Sequence, residues 1–189
     1  MIQHKENRKM YLSILLAVYL TILAYFMFFG FGRPQLAVSN HEYRYWLIPD
    51  SIPLWLPKHF SIDILSLWIF ALGNLLAFIP LGILAPMVFE KYINTYFRFV
   101  IIFVLYILSM EIIQMVTYLG SFDVTDIIVN TMGATIGFYS FRFSEQINTI
   151  GKKLVTMGLT IVGLSTIMFL IAEVYNNTIK LYLTDIFGI

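Results

Sequence analysis

The chain has 189 residues, 59% of them hydrophobic and 12% charged, with a net charge of +1 and a mean hydropathy of +0.81. A soluble domain carries about 25% charged residues, so a water-soluble globule is excluded, and so small a net charge argues against a nucleic-acid partner. Cysteine is absent, which removes disulfides, thiolate metal sites and cysteine nucleophiles.

Apolar runs long enough to cross a bilayer core of ~30 Å recur five times. The first covers about 10–32. It is longer than the roughly 7–15 residues of a signal-peptide core, and no A-x-A site follows, so it is expected to be a retained helix. An outer loop, 33–63, holds Pro34, Pro49, Pro53 and Pro57, which forbid a long helix. Trp46, Trp55 and the loop tyrosines suit a membrane interface. The loop is expected either to lie on the surface or to cover a pocket as a lid. His41 and His59 in this loop, and His4 at the N-terminus, lack metal-ligand spacing.

The second helix is expected at 64–89, where Pro80 and Pro86 predict a bend and freed carbonyls. The third is expected at 98–120 with Glu111 inside it, the fourth at 123–141 and the fifth at 154–173, followed by a short interfacial tail. The fold class is therefore all-α: one polytopic membrane domain, 1–189, of about five helices. Eight of the twelve Lys and Arg, among them Lys5, Arg8, Lys91 and Lys152, fall on the side of the N-terminus. The positive-inside rule then puts the N-terminus in the cytoplasm and the C-terminus outside.

Polar residues inside such helices are costly and mark function by default. At 1.5 Å per residue, Glu111 and Gln114 lie roughly 13 and 9 Å below Gly120, Asn74 roughly 16 Å below Asp63, and Asn130 roughly 10 Å below Asp123. All four fall in the outer half of the membrane, beneath Asp123 and Asp126. Glu111, Gln114 and Tyr118 are spaced i, i+3, i+7, so they share one helix face. Asp123, Asp126, Asn130, Gly133 and Gly137 form a second stripe, ending in a GxxxG that permits close helix approach. Candidate catalytic residues are Glu111, Asp123 and Asp126; candidate substrate-binding residues are Asn74, Gln114, Asn130 and Tyr118. Two plainer roles stand beside these: Glu111 bonded to Gln114 or Asn74 as helix glue, and Asp123 as an N-cap. No metal or cofactor is assigned, although Glu111, Asp123 and Asp126 are of the type that holds Mg²⁺ or Ca²⁺.

The run E-x2-Q-x8-D-x2-D-x3-N-x2-G-x3-G, from Glu111 to Gly137, resembles the VanZ-like family of bacterial membrane proteins. NLLAFIPLG, from Asn74 to Gly82, resembles that family's other motif, and LIP at Leu47–Pro49 is a weaker match, with Trp46 and Asp50 in place of Asn and Phe. Many members carry an Arg where this chain has Gly120; Arg44 or Lys58 is a candidate substitute. The resemblance implies a multi-pass protein of the bacterial plasma membrane, associated with low-level resistance to lipid-tailed glycopeptides such as teicoplanin, without altered peptidoglycan precursors.

Three functions fit the residues. One is an enzyme acting on a lipid-linked headgroup, with Glu111 as general acid or base. Another is a non-enzymatic factor binding the lipoglycopeptide or its lipid surroundings. The third is a small proton-coupled transporter or flippase, ranked last because no internal repeat is visible. The expected partners are membrane lipids and either a lipid-linked envelope component or a lipoglycopeptide. No Walker motif, serine nucleophile elbow or HExxH is present, and the sequence leaves the oligomeric state open.

Overall fold

Where water is absent, a helix satisfies its own backbone polar groups, and each apolar run becomes one. The computed structural model describes residues 2–30, 42–49, 51–54 and 61–182. It contains five long helices: α1 (Ile2–Phe29), α2 (Ile62–Val88), α3 (Tyr96–Val116), α4 (Val124–Ser144) and α5 (Ile150–Val174). Four segments are long and apolar enough to cross a membrane: Glu6–Phe29, Trp68–Val88, Tyr96–Val116 and Ile150–Tyr182. The protein is thus a mostly helical membrane protein.

The helix that fails this apolarity test is α4, and its composition explains why. Asp126, Asn130, Thr131, Thr135, Ser140 and two glycines dilute its hydropathy. Yet α4 lies at the centre, packed against α2, α3 and α5, and buries eleven residues from Val129 to Ser144, whereas α5 buries only Ala172. A helix enclosed by other helices needs no apolar exterior. At 21 residues it is about 30 Å long, a full bilayer core.

The most extensive contact joins α2 to α4, and glycine makes it. A Cβ on Gly133 would collide with the Leu75 carbonyl, one on Gly137 with the Ile79 carbonyl, and one on Gly82 with the Ala134 carbonyl. Leu75 pairs with Gly133 and Ile79 with Gly137, so position rises together along both helices and they run parallel. At the other end of α4, the Arg142 guanidinium donates to the Ile93 and Asn94 carbonyls at 3.0 and 2.9 Å and pairs with Glu145 at 3.0 Å. This fixes the α2–α3 turn under α4.

Several boundaries differ from the sequence expectation. Helix α1 begins eight residues earlier, because Lys5, Glu6, Arg8 and Lys9 extend it without contradicting helix propensity. Helix α3 stops at Val116 rather than near 120: Thr117 caps it and Tyr118 takes φ = 60°. Helix α5 continues past Val174 through a π-helical turn, Tyr175–Ile179, so the stretch to Tyr182 is helical instead of a loose tail. Helix α2 remains continuous through Pro80 and Pro86. Pro80 has no N–H for the Leu76 carbonyl, and the next carbonyl along, that of Ala77, accepts the Tyr19 hydroxyl of α1.

Candidate functional site

The site is assembled where the segment preceding α2, α2 itself and the start of α4 meet. The segment divides: Tyr43 and residues 45–48 are exposed, whereas its far end is inserted into the protein. Ile52 and Leu54 are buried in a cluster with Ala71, Leu75, Val129 and Ala172. The cause is a pair of anchors on the π-helical turn. The Asn176 amide both accepts from Ile52 N (2.8 Å) and donates to Ile52 O (2.9 Å), and the Tyr175 hydroxyl donates to Pro49 O (2.7 Å). Just before this, strand β1 (Tyr45–Trp46) pairs in parallel with β2 (Phe122–Asp123), and Phe122 N donates to Arg44 O. Trp55, Asp50, Pro57 and the loop histidines lie outside the described residues, as do Pro34 and Lys58.

That pairing reorganises the expected stripe on α3. Once α3 has ended, the chain folds back so that Asp123 N donates to the Glu111 carboxylate at 3.2 Å. Glu111 therefore lies level with the start of α4 rather than well beneath it. Asp123 turns its own carboxylate to Thr125 N at 2.7 Å, acting as the N-cap that its residue type favours. Asp126 accepts from the Asn74 amide of α2 at 3.0 Å. Gln114 donates to the Met27 carbonyl of α1 at 2.7 Å.

Six of the candidates line cavities. A first cavity of about 350 Å³ is lined by Trp46, Ser51, Trp68, Asn74, Asp123 and Asp126, among others. A second, of about 490 Å³, lies between α1 and α2 and reaches Glu111, Gln114, Asp126 and Asn130. Asn74, Asp126 and Phe70 line both, so the Asn74–Asp126 hydrogen bond is the partition between them. Glu111, Gln114 and Asn130 are buried to 1–2% exposure, and both volumes fall in the range of roughly 300–1,000 Å³ common for small-molecule sites.

One expectation changes. Tyr118 leaves the Glu111–Gln114 face because α3 ends before it. It lines neither cavity and stacks on Tyr43, ring centroids 5.2 Å apart. The hydrogen bond with Tyr43, helped by desolvation and by the neighbouring phenol's charge, raises its pKa above the ordinary tyrosine value. Among the described residues no three acidic or imidazole groups converge to hold an ion. Asp123 caps α4 instead.

Trp68, Phe70, Ser51 and Thr125 line the first cavity without being singled out in the sequence. Phe70 sits one turn from Asn74, a spacing that reveals it once Asn74 is fixed as site. Arg44, a suggested stand-in for an arginine at 120, lies beside the strand pair that ends next to Gly120. Its carbonyl holds Phe122.

Comparison with known proteins gives the family context. The sequence model described as VanZ/LLP1 matches residues 16–145, which span α2, α3, α4 and the second half of α1. The chain is 28% identical over 167 residues to Protein VanZ of Enterococcus faecium, covering 88% of this chain and 93% of that protein. No solved structure matches.

Proposed function

The chain belongs to the VanZ/LLP1 family, and on that premise we propose that it is a multi-pass protein of the bacterial plasma membrane that binds a lipid-linked envelope component or a lipoglycopeptide, giving low-level tolerance to teicoplanin-type antibiotics. The N-terminus is cytoplasmic in this reading, as the Lys and Arg distribution requires. All five helices cross, so the two cavities open in the outer half of the bilayer. The observation that carries the reading is the shared wall: Asn74 and Asp126 line both the aromatic first cavity and an apolar cavity between α1 and α2. An amphiphile needs adjoining compartments of this kind, one for its head and one for its tail.

Binding ranks ahead of turnover because two of the three acids already hold structure. Asp123 caps α4 and Glu111 anchors the returning chain at Asp123 N. The test is teicoplanin and vancomycin susceptibility in a host lacking the gene, comparing vector, native chain and Glu111→Gln at matched membrane levels. The expected result is selective tolerance to teicoplanin that Glu111→Gln reduces but does not abolish, since the amide still accepts from Asp123 N. Complete loss with folded protein would favour catalysis by Glu111. No tolerance from the native chain would refute the resistance role.

A further inference from the structure

Hydrogen-bond capacity in the α1–α2 cavity is one-sided. Four of its side chains direct a donor into the protein: Tyr19 to Ala77 O, Ser66 to Ile62 O, Asn74 to Asp126 and Gln114 to Met27 O. One buried acceptor is left over. Asn130 Oδ1 is buried without a hydrogen-bond partner in a residue only 2% exposed, and Asn130 lines this cavity beside Glu111 and Asp126. Buried acceptors in native proteins are almost always matched, so an orphan on a cavity wall marks where a ligand's donor would sit. Among the described residues, no Lys or Arg lines either cavity.

The remaining walls are apolar and face outward. Ile22, Phe26 and Ile69 are each about half exposed on the lipid-facing edges of α1 and α2. Gly73 lines the same cavity, and a Cβ there would meet nothing within 4 Å. Its bare backbone widens the groove without serving helix contact.

We propose that this cavity binds an amphiphile with a protonated amine head and a single alkyl chain, admitted sideways from the bilayer between α1 and α2. The inference deepens the binding function proposed above and rests on it. An ammonium supplies three donors and no acceptor, which complements Asn130 Oδ1, Asp126 and Glu111. A phosphate head brings only acceptors and negative charge, and would meet acids with no base to offset them. The alkyl chain lies along Ile22, Phe26, Ile69 and Gly73.

The test uses the purified full chain in phosphatidylcholine nanodiscs and radiolabelled hexadecylamine, with empty discs subtracted. Competitors are unlabelled hexadecylamine, hexadecanol, hexadecyl phosphate and butylamine. Hexadecylamine should compete at least about tenfold better than hexadecanol, a difference of about 1.4 kcal/mol, and better still than the phosphate. Butylamine should not compete, because it lacks the chain. Asp126→Asn and Gly73→Leu should each weaken binding about tenfold or more without lowering Tm. Equal competition by all three heads, or preference for the phosphate, overturns the head-group assignment while a ligand-binding cavity still stands. Unchanged binding in either variant overturns the placement. No saturable binding overturns the inference as a whole, and the Glu111→Gln susceptibility assay then decides the broader function separately.

Discussion

Helix α2 presents two contrasting faces. Toward α4 it is locked: Gly82, Gly133 and Gly137 let the two backbones approach until no side chain fits between them. Toward α1 it is open, with the 490 Å³ cavity between them and Gly73 facing free space. Glycine appears on both faces for opposite reasons, close contact on one and vacancy on the other. Small residues in a membrane helix are therefore not evidence of packing until their neighbours are known. Here the tight face supplies rigidity, and the loose face leaves the room that the proposed ligand would fill.

The largest expected effect comes from filling both faces with the same side chain. Gly137→Leu drives its Cβ into the Ile79 carbonyl and should cost ~3 kcal/mol or more, since overpacking a close-packed contact forces backbone shifts. Gly73→Leu should leave Tm unchanged or raise it, because glycine inside a helix is worse than other residues by up to ~1 kcal/mol. Thermal unfolding of both variants in detergent, read by circular dichroism, checks this. Equal destabilisation of the two would erase the distinction between the faces.

A smaller effect is expected at the roof of the site, where one acid has a structural duty. Asp123→Ala removes the cap on Thr125 N and should cost ~1 kcal/mol, whereas Asp123→Asn should retain most of the stability. Urea or thermal titration of the pair would show it. If alanine and asparagine behave alike, the cap is not what Asp123 contributes.

The smallest effect lies outside the cavities. Tyr118 is held above its ordinary pKa chiefly by the hydrogen bond with Tyr43. A folded pKa above the unfolded value means that the contact is fully present below the unfolded pKa and is lost as pH rises through the folded one. The stacked pair should therefore be intact at neutral pH and loosen only in strong alkali. Ultraviolet titration of the native chain against Tyr118→Phe should place this phenol above the usual range, and Tyr43→Phe should bring it back down. A Tyr118 that titrates normally in the native chain would contradict the pairing.

Much of this arrangement is legible in the sequence, and the reasons are physical. Apolar runs give five helices because hydrocarbon leaves the backbone no other option, and the Gly133–Gly137 spacing announces the close contact with α2. Asn74, Glu111, Gln114, Asp126 and Asn130 come together because depth and helix face are both periodic quantities. Tyr118 falls outside the helix because the stop signal in the sequence, Gly120, lies beyond the point where α3 ends, Val116. The stop depends on a non-local pairing of Tyr45 and Trp46 with Phe122 and Asp123, which periodicity cannot register. The insertion of Ile52 and Leu54 was hidden for a similar reason, since its anchor, Asn176, is more than a hundred residues away.

The central claim is that function resides on the loose face of α2, and Gly73→Leu tests it most directly because it fills the groove without touching any polar residue. Teicoplanin susceptibility should be measured with the native chain and this variant at matched membrane levels. The account predicts that the variant accumulates as folded protein yet loses the tolerance the native chain confers. Full tolerance in a folded Gly73→Leu protein would contradict it and move the functional site away from the α1–α2 cavity.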